Sequence, residues 1–291
     1  MSQSSKERRA KERAAASERQ ESIRRSVLER WGPSAPQDRV ERAGFLAAHA
    51  ILEEHGLTPA GVRELGFNCA EFTNATLAPQ MSKPSCACAP GCAWCCMREV
   101  SAWPTEVMQL ASRIESRGAE EVSSLLAKLR ETVALADEQR AAGRSPRLPC
   151  PLLTPDRTCS VHDGRPSSCA AVSSTDAAAC KAHAEGNAQT DKMAANLALL
   201  LPSQMAVHVI MQRGGPPTDG AGAAVDLHAG LALVLERGVD AAAAAWIAGE
   251  DIFRAARERA EQRMKRLRDE VRARAASTAP GLVTLGKPKT T

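Results

Sequence analysis

Cysteine is the residue type in this sequence that could do the most distinctive chemistry. The 291-residue chain has ten cysteines, and eight of them fall into two groups. The first group reads Cys88-x3-Cys92-x2-Cys95-Cys96, and the second consists of Cys150, Cys159, Cys169 and Cys180. Thiolates two or three residues apart on a tight turn can converge on one metal ion. The spacing therefore predicts a metal site with these eight cysteines as ligands.

The ligand type leaves the metal and the number of sites open. Zinc is held by four thiolates at ~2.3 Å, and iron–sulfur clusters such as 4Fe–4S are typically held by four cysteines. Neighbouring Cys95 and Cys96 cannot easily share one mononuclear site, so one of them could serve a second ion or none. A lone cysteine more often packs as a small apolar residue, which we expect of Cys69, whereas Cys86 could add a ligand.

The pattern resembles the YkgJ-type cysteine-cluster family, a zinc- or iron-chelating domain related to a flagellin lysine N-methylase. The resemblance covers about a third of the chain, from Ser85 to Cys180. Besides the first group of cysteines, the matching residues are Cys150-Pro151-Leu152-Leu153, Cys159-Ser160-Val161, Arg165-Pro166, Cys169 and Cys180. The resemblance implies a bound zinc or iron and leaves a catalytic role undecided.

Two positions depart from the family pattern. His162 stands where the family has a tyrosine, and Ala170 stands where it has an arginine that could bind a thiolate or an anion. His162 could replace a cysteine as ligand, although a packed or solvent-facing histidine is the commoner case. Arg165 is expected to offset thiolate charge, and Asp163 to cap a turn or pair with Arg165.

Enzymatic alternatives rest on weaker patterns. Relation to a methylase makes S-adenosylmethionine-dependent lysine N-methyl transfer with an iron–sulfur cluster the alternative function. The first three cysteines of the first group also match the radical S-adenosylmethionine spacing, but no strand precedes them. Glu99 and Glu106 could act as bases at a hydrolytic zinc, yet a sulfur-saturated zinc is a weak Lewis acid. The first turn of a helix is the simpler explanation for Glu106.

Charge is concentrated at the two ends of the chain. Lys6–Arg30 and Asp251–Arg274 each contain nine basic and five acidic residues, a mixture typical of solvated helix faces. These charged terminal helices could dock a protein partner, whereas the lack of interleaved aromatics does not favour nucleic acid. No stretch is long enough to cross a membrane, and no secretory signal begins the sequence. We therefore expect a cytoplasmic protein, where thiols bind metal rather than form disulfides.

The elements that must position the cysteines are predicted to be helices, giving a mainly α fold. Apolar periodicity predicts helices over Arg39–Glu54, Thr58–Leu65, Asp191–Met211 with a bend at Pro202, Val225–Arg237 and Val239–Arg274. Thr105–Gln139 is predicted to be a helical hairpin turning at Gly118, packed outside the site and bringing together two irregular cysteine-rich loops joined by metal.

Four regions follow from this pattern. They are a charged helix and linker over 1–38, a cysteine-cluster domain over 39–185, a helical C-terminal region over 186–276 that covers the core, and a disordered tail over 277–291.

Overall fold

The computed structural model describes residues 36–81, 85–186, 193–195, 197–216 and 222–278. The predicted helix Lys6–Arg30 and the tail from residue 279 onwards lie outside the described residues. The described chain is mainly helical, which confirms the predicted class. Its α-helices are α1 Pro36–His55, α2 Pro59–Met81, α3 Pro104–Glu115, α4 Ala119–Ala141, α5 Ser167–Ala170, α6 Ala177–Ala184, α7 Leu201–Gln212, α8 Leu227–Arg237, α9 Val239–Ile247 and α10 Arg254–Thr278.

Short strands and 3₁₀ turns connect the helices. Strand β1, Ser101–Ala102, pairs antiparallel with β4, Val225–Asp226, and β2, Val172–Ser174, pairs antiparallel with β3, Met193–Ala195. Three 3₁₀ turns cover Trp94–Met97, His162–Gly164 and Leu197–Leu200. The β1–β4 pair fixes the residues just after the first cysteine group against the start of α8. None of the helices in the described part of the chain is long and apolar enough to cross a membrane.

Helix α3 lies at the centre of the molecule. Nine of its twelve residues are buried, and α2, α4, α7, α8 and α9 all pack against it. Gly66 lets α2 approach closely, because a Cβ there would lie 2.4 Å from the carbonyl oxygen of Thr105. The core therefore forms around a helix that begins eight residues after Cys96.

The predicted hairpin is present as α3 and α4. Gly118 joins them with φ 112°, a conformation that side-chain-bearing residues rarely adopt. Gly118 was predicted to end the first helix in a left-handed conformation. It is instead the N-cap residue, which directly precedes α4. From α4, Gln139 accepts a hydrogen bond of 3.1 Å from the backbone N–H of Arg147, three residues before Cys150. The hairpin therefore contacts the second cysteine segment.

Several predicted helix bounds were wrong. The short turn at Thr58–Leu65 is the start of α2, which continues to Met81. Helix α7 begins only at Leu201, and Pro202 lies in its first turn, where a missing N–H costs nothing, rather than at a bend. The predicted helix Val239–Arg274 is two helices, because Gly249 takes φ 92° between them.

The second cysteine segment is less irregular than predicted. Cys169 lies on α5 and Cys180 lies on α6. Asp176 begins α6 and accepts a hydrogen bond of 3.0 Å from Ala179 N, a cap that compensates for the weak apolar periodicity of this short helix. Apolar periodicity does not detect a cap of this kind, whereas α5 has no side-chain cap and is only four residues long.

Candidate metal centre

The two cysteine segments meet through their backbones. Cys150 N donates a hydrogen bond of 2.8 Å to the carbonyl oxygen of Cys96. The second segment then folds back on itself, since Leu153 and Cys159 form an antiparallel bridge and Ser160 N donates to Leu152 O at 2.9 Å. Backbone hydrogen bonds thereby join residues that are far apart in the sequence.

Five thiols form the larger of two cysteine groups, which we term the five-thiol group. Its members, each close enough for its charge to influence the titration of others in the group, are Cys95, Cys96, Cys150, Cys159 and Cys169. Burial raises the pKa of Cys150 to about 12, raises the pKa of Cys159, and raises that of Cys169 well above its ordinary value. Without metal, these three side chains are therefore neutral thiols at neutral pH.

Cys95 is the exposed member of the five-thiol group. A hydrogen bond from Cys96 lowers the pKa of Cys95 to about 6, and the nearby charges of Arg165 and Arg98 act in the same direction. The same hydrogen bond raises the pKa of Cys96, because it stabilises the protonated form of that thiol.

Arg165 supplies positive charge to the five-thiol group. Its guanidinium favours the thiolate forms of Cys95, Cys159 and Cys169. No hydrogen-bond partner is found for its buried Nε–H among the residues that the structure describes. Asp163, predicted to pair with Arg165 or cap a turn, is bound through its backbone oxygen by Asn74 at 2.7 Å. A cation with an unused donor beside several thiols suits a site that becomes negative when the thiols ionise.

A second, smaller cysteine group consists of Cys86, Cys88 and Cys92, which precede the five-thiol group in the sequence. The charges of Cys86 and Cys92 both act on Cys88, whose pKa rises to about 11 mainly through burial. The backbone of Ala87 donates a hydrogen bond of 2.8 Å to Ser174 O, which fixes this strand-like stretch beside β2. Cys180 is buried on α6, which packs against the turn Trp94–Met97.

Seven of the eight predicted ligands thus fall into two groups, and the eighth, Cys180, lies on α6. Within the described ranges, no set of three or more Cys, His, Asp or Glu side chains has the close spacing of a ready-made metal site. His162, predicted as an alternative ligand, has a side chain that is 61% exposed and lies near Asp163. Cys69 is buried in α2, where burial raises its pKa to about 12, as expected for an apolar-packed cysteine.

Glu106, predicted to interact with a helix dipole or to act as a base, connects several elements of the fold through hydrogen bonds. It is 4% exposed. Its carboxylate accepts hydrogen bonds from Ser167 N at 2.8 Å, Ser203 Oγ at 2.7 Å and Trp103 N at 2.8 Å. These contacts join the start of α3 to α5 and α7, and α5 carries Cys169. Because its oxygens are occupied by donors, Glu106 serves to hold the second cysteine segment against the core.

Glu99, the other predicted base, is held by arginines. Its carboxylate contacts Arg140 of α4 and lies 3.4 Å from Arg266 of α10. Arg263 of α10 donates to the Glu99 carbonyl oxygen and, at 2.8 Å, to Ser101 Oγ. The ion pair of Arg266 and the hydrogen bonds of Arg263 attach α10 to the segment immediately after Cys96.

His228 belongs to the site although the cysteine pattern gave no indication of it. Its Nε2 lies 3.4 Å from Cys150 Sγ, across a sequence separation of 78 residues. The imidazole is buried, and burial lowers its pKa. No local feature of the sequence could have shown this contact, because it depends on where the β1–β4 pair places the first turn of α8.

On its other side, Cys150 borders an open cleft of about 590 Å³. Apolar residues and Lys128, Glu131 and Arg157 also line this cleft. The guanidinium of Arg157 lies 4.3 Å from the ring centre of Trp94, beside Cys95. The five-thiol group is thus reachable from solvent at Cys150 and Cys95.

No protein-family model, curated protein or solved structure matches this chain. The resemblance to the YkgJ-type family therefore stays a prediction.

Proposed function

We propose that this protein binds zinc or iron, the latter as an ion or a 4Fe–4S cluster, through the thiolates of the five-thiol group. The observation that carries the proposal is the meeting of Cys96 with Cys150, joined by a backbone hydrogen bond of 2.8 Å. This bond brings thiols from two distant segments to one place, as the cysteine pattern predicts for a shared metal site.

The donor chemistry fits such a centre. Cys150, Cys159 and Cys169 provide three sulfurs, and one of the adjacent pair Cys95 and Cys96 provides the fourth. Four sulfurs are what a closed zinc site or a cubane cluster needs. Bound metal would require these thiols to lose their protons, and Arg165 offsets the negative charge that results.

A bound metal would also draw the sulfurs closer than the structure places them. The bridge between Leu153 and Cys159 and the short helix α5 fix the backbones of the second segment, so side-chain rotation is the main change required. Cys88 and Cys92 would contribute to a second site in the smaller group, with Cys86 as a further thiol there. Cys180, the remaining predicted ligand, lies on α6, which packs against the turn Trp94–Met97. The site would be structural or would handle the metal itself.

The test is metal and acid-labile sulfide analysis of the full chain, purified without oxygen, together with its absorption spectrum. We expect zinc without sulfide, or iron with sulfide in cluster ratio. Protein with neither metal, under conditions that protect thiols, would refute the proposal. Iron with sulfide would make S-adenosylmethionine binding the next measurement, because it would favour the methylase alternative.

Single cysteine variants locate the site. Cys159→Ser should lower the metal content, because Cys159 lies in the five-thiol group. Cys69→Ser is the control: Cys69 is buried in α2, where its neighbours are Glu106 and Ser203, whereas Cys159 is half-buried in the five-thiol group. Equal loss of metal in both variants would show that folding, rather than ligation, had been measured. Unchanged metal content in Cys159→Ser and Cys169→Ser would remove the five-thiol group as the site.

A further inference from the structure

His228 brings a third segment of the chain to the five-thiol group, in addition to the two cysteine segments. Its Nε2 lies 3.4 Å from Cys150 Sγ, within the range of a hydrogen bond to sulfur. The imidazole is 7% exposed, so the histidine side of this contact is shielded from bulk water. Among the other described histidines, His49 lies beside Phe45, His208 beside Gln212, and His162 is largely exposed beside Asp163.

The backbone that carries His228 is fixed against the first cysteine segment. Asp226 begins α8 and accepts a hydrogen bond of 2.9 Å from Ala229 N. Leu227 N, next to His228, donates to Val100 O at 2.9 Å, and Val100 follows Cys96 by four residues. His228 is therefore positioned by the same β1–β4 pair that places the residues after Cys96.

Resting on the proposed metal centre, we infer that His228 is the positioning residue for the Cys150 ligand, donating an Nε2–H hydrogen bond to its sulfur. A metal-bound Cys150 is a thiolate and has no proton to donate. A contact at 3.4 Å then persists as a hydrogen bond only if Nε2 carries the hydrogen. Such a bond orients the ligand and withdraws electron density from the sulfur, which tunes the metal.

His228 also borders a small cavity with room for about one water molecule. Charged residues, among them Arg98, Glu99 and Asp226, line this cavity together with apolar residues such as Val133 and Leu148. In a neutral imidazole with the hydrogen on Nε2, Nδ1 is the acceptor.

The experiment compares the sulfur-to-metal charge-transfer absorption of the full chain and its variants, using Co²⁺ in a zinc-type centre or the iron of a cluster. His228→Leu removes the donor at similar volume, and we expect the band to move to longer wavelength at unchanged metal stoichiometry. His228→Gln, whose amide can place an N–H near the Nε2 position, should keep the wild-type band. His208→Leu, on the exposed face of α7, is the matched control and should also keep it.

A second measurement needs no substitution. In zinc-loaded protein, a long-range ¹H–¹⁵N spectrum should show His228 neutral and protonated at Nε2. Protonation at Nδ1 alone, or a His228→Leu band identical to wild type, would overturn the inference. Loss of metal from both His228 variants would also overturn it, since His228 would then be a ligand. If wild-type protein took up no metal at all, the proposed function itself would fail.

Discussion

At the scale of single residues, the side chains that organise the cysteine segments are polar groups buried by contacts between distant parts of the chain. Glu106 and His228 are both buried, and each touches a residue more than 60 positions away. A buried polar group is stable only when its hydrogen bonds are made, so each of these contacts specifies one arrangement of the segments it joins.

Glu106→Gln should lower the free energy of unfolding by about 2–3 kcal/mol, because a buried donor would be left facing an amide N–H instead of an oxygen. The carboxylate accepts from Ser167, Ser203 and Trp103, whereas an amide has only one oxygen. Urea denaturation of both proteins checks this. Glu120→Gln, on the exposed start of α4, should change stability by less than about 0.5 kcal/mol, and an equally small effect at Glu106 would contradict the tie assigned to it.

At the scale of elements, the sequence predicted helix existence better than helix ends. The hairpin α3–α4 could be predicted because apolar residues recur at helical spacing on both sides of Gly118. The break within Val239–Arg274 could not be predicted, because the alanine-rich sequence favours helix on either side of Gly249. The break depends on Gly249 adopting φ 92° and on Asp251, which binds Arg257 at 2.7 and 2.8 Å.

Spacing alone led to the prediction that the eight cysteines bind metal, but it could not show which of them lie together. Cys95 and Cys150 are brought together by the tertiary contact of Cys96 with Cys150, for which no local pattern exists. The contact of His228 and the hydrogen bonds of Glu106 could not be predicted from the sequence either, because each depends on the packing of elements more than 60 residues apart.

Gly66→Ala tests the close approach of α2 and α3. Alanine normally stabilises a helix relative to glycine, yet here the added Cβ would lie 2.4 Å from the Thr105 carbonyl oxygen. We expect a net loss of about 1–3 kcal/mol in unfolding free energy, measured by urea denaturation. Gly230→Ala is the control, because its nearest neighbour is the movable Cγ2 of Val225 at 3.1 Å. A stabilised Gly66→Ala protein would refute the close approach.

The junction between α9 and α10 should make stability depend on pH. Hydrogen bonds from Arg257, assisted by Arg254, lower the pKa of Asp251 in the folded protein. A lowered carboxyl pKa contributes stability above the unfolded value, near pH 4, and this contribution is lost as the pH falls through the folded pKa. Wild type should therefore exceed Asp251→Asn in free energy of unfolding by the largest amount at pH 6, and this difference should shrink below about pH 4. A difference that did not change with pH would exclude this ion pair as its source.

At the scale of the whole molecule, the apolar core and the cysteine segments are stabilised by different means. Helices α1 to α4 and α7 to α9 supply most of the buried apolar side chains, including Leu65, Leu110 and Trp246. The cysteine segments contribute few large ones, chiefly Leu152 and Val161. The helices can bury a core without metal, whereas the cysteine segments depend on backbone hydrogen bonds and on the ties from Glu106 and α10.

Metal removal should therefore loosen the cysteine segments without unfolding the helices. Hydrogen–deuterium exchange, with and without a chelator, should show faster exchange over residues 85–103 and 147–184 and unchanged protection in α3, because local opening follows the distribution of buried apolar contacts. Cys159→Ser should reproduce the chelator's pattern, and Cys69→Ser should not. Loss of protection in α3 together with the cysteine segments would instead mean that the metal and the helical core fold as one unit, since binding free energy would then be folding free energy for the whole chain.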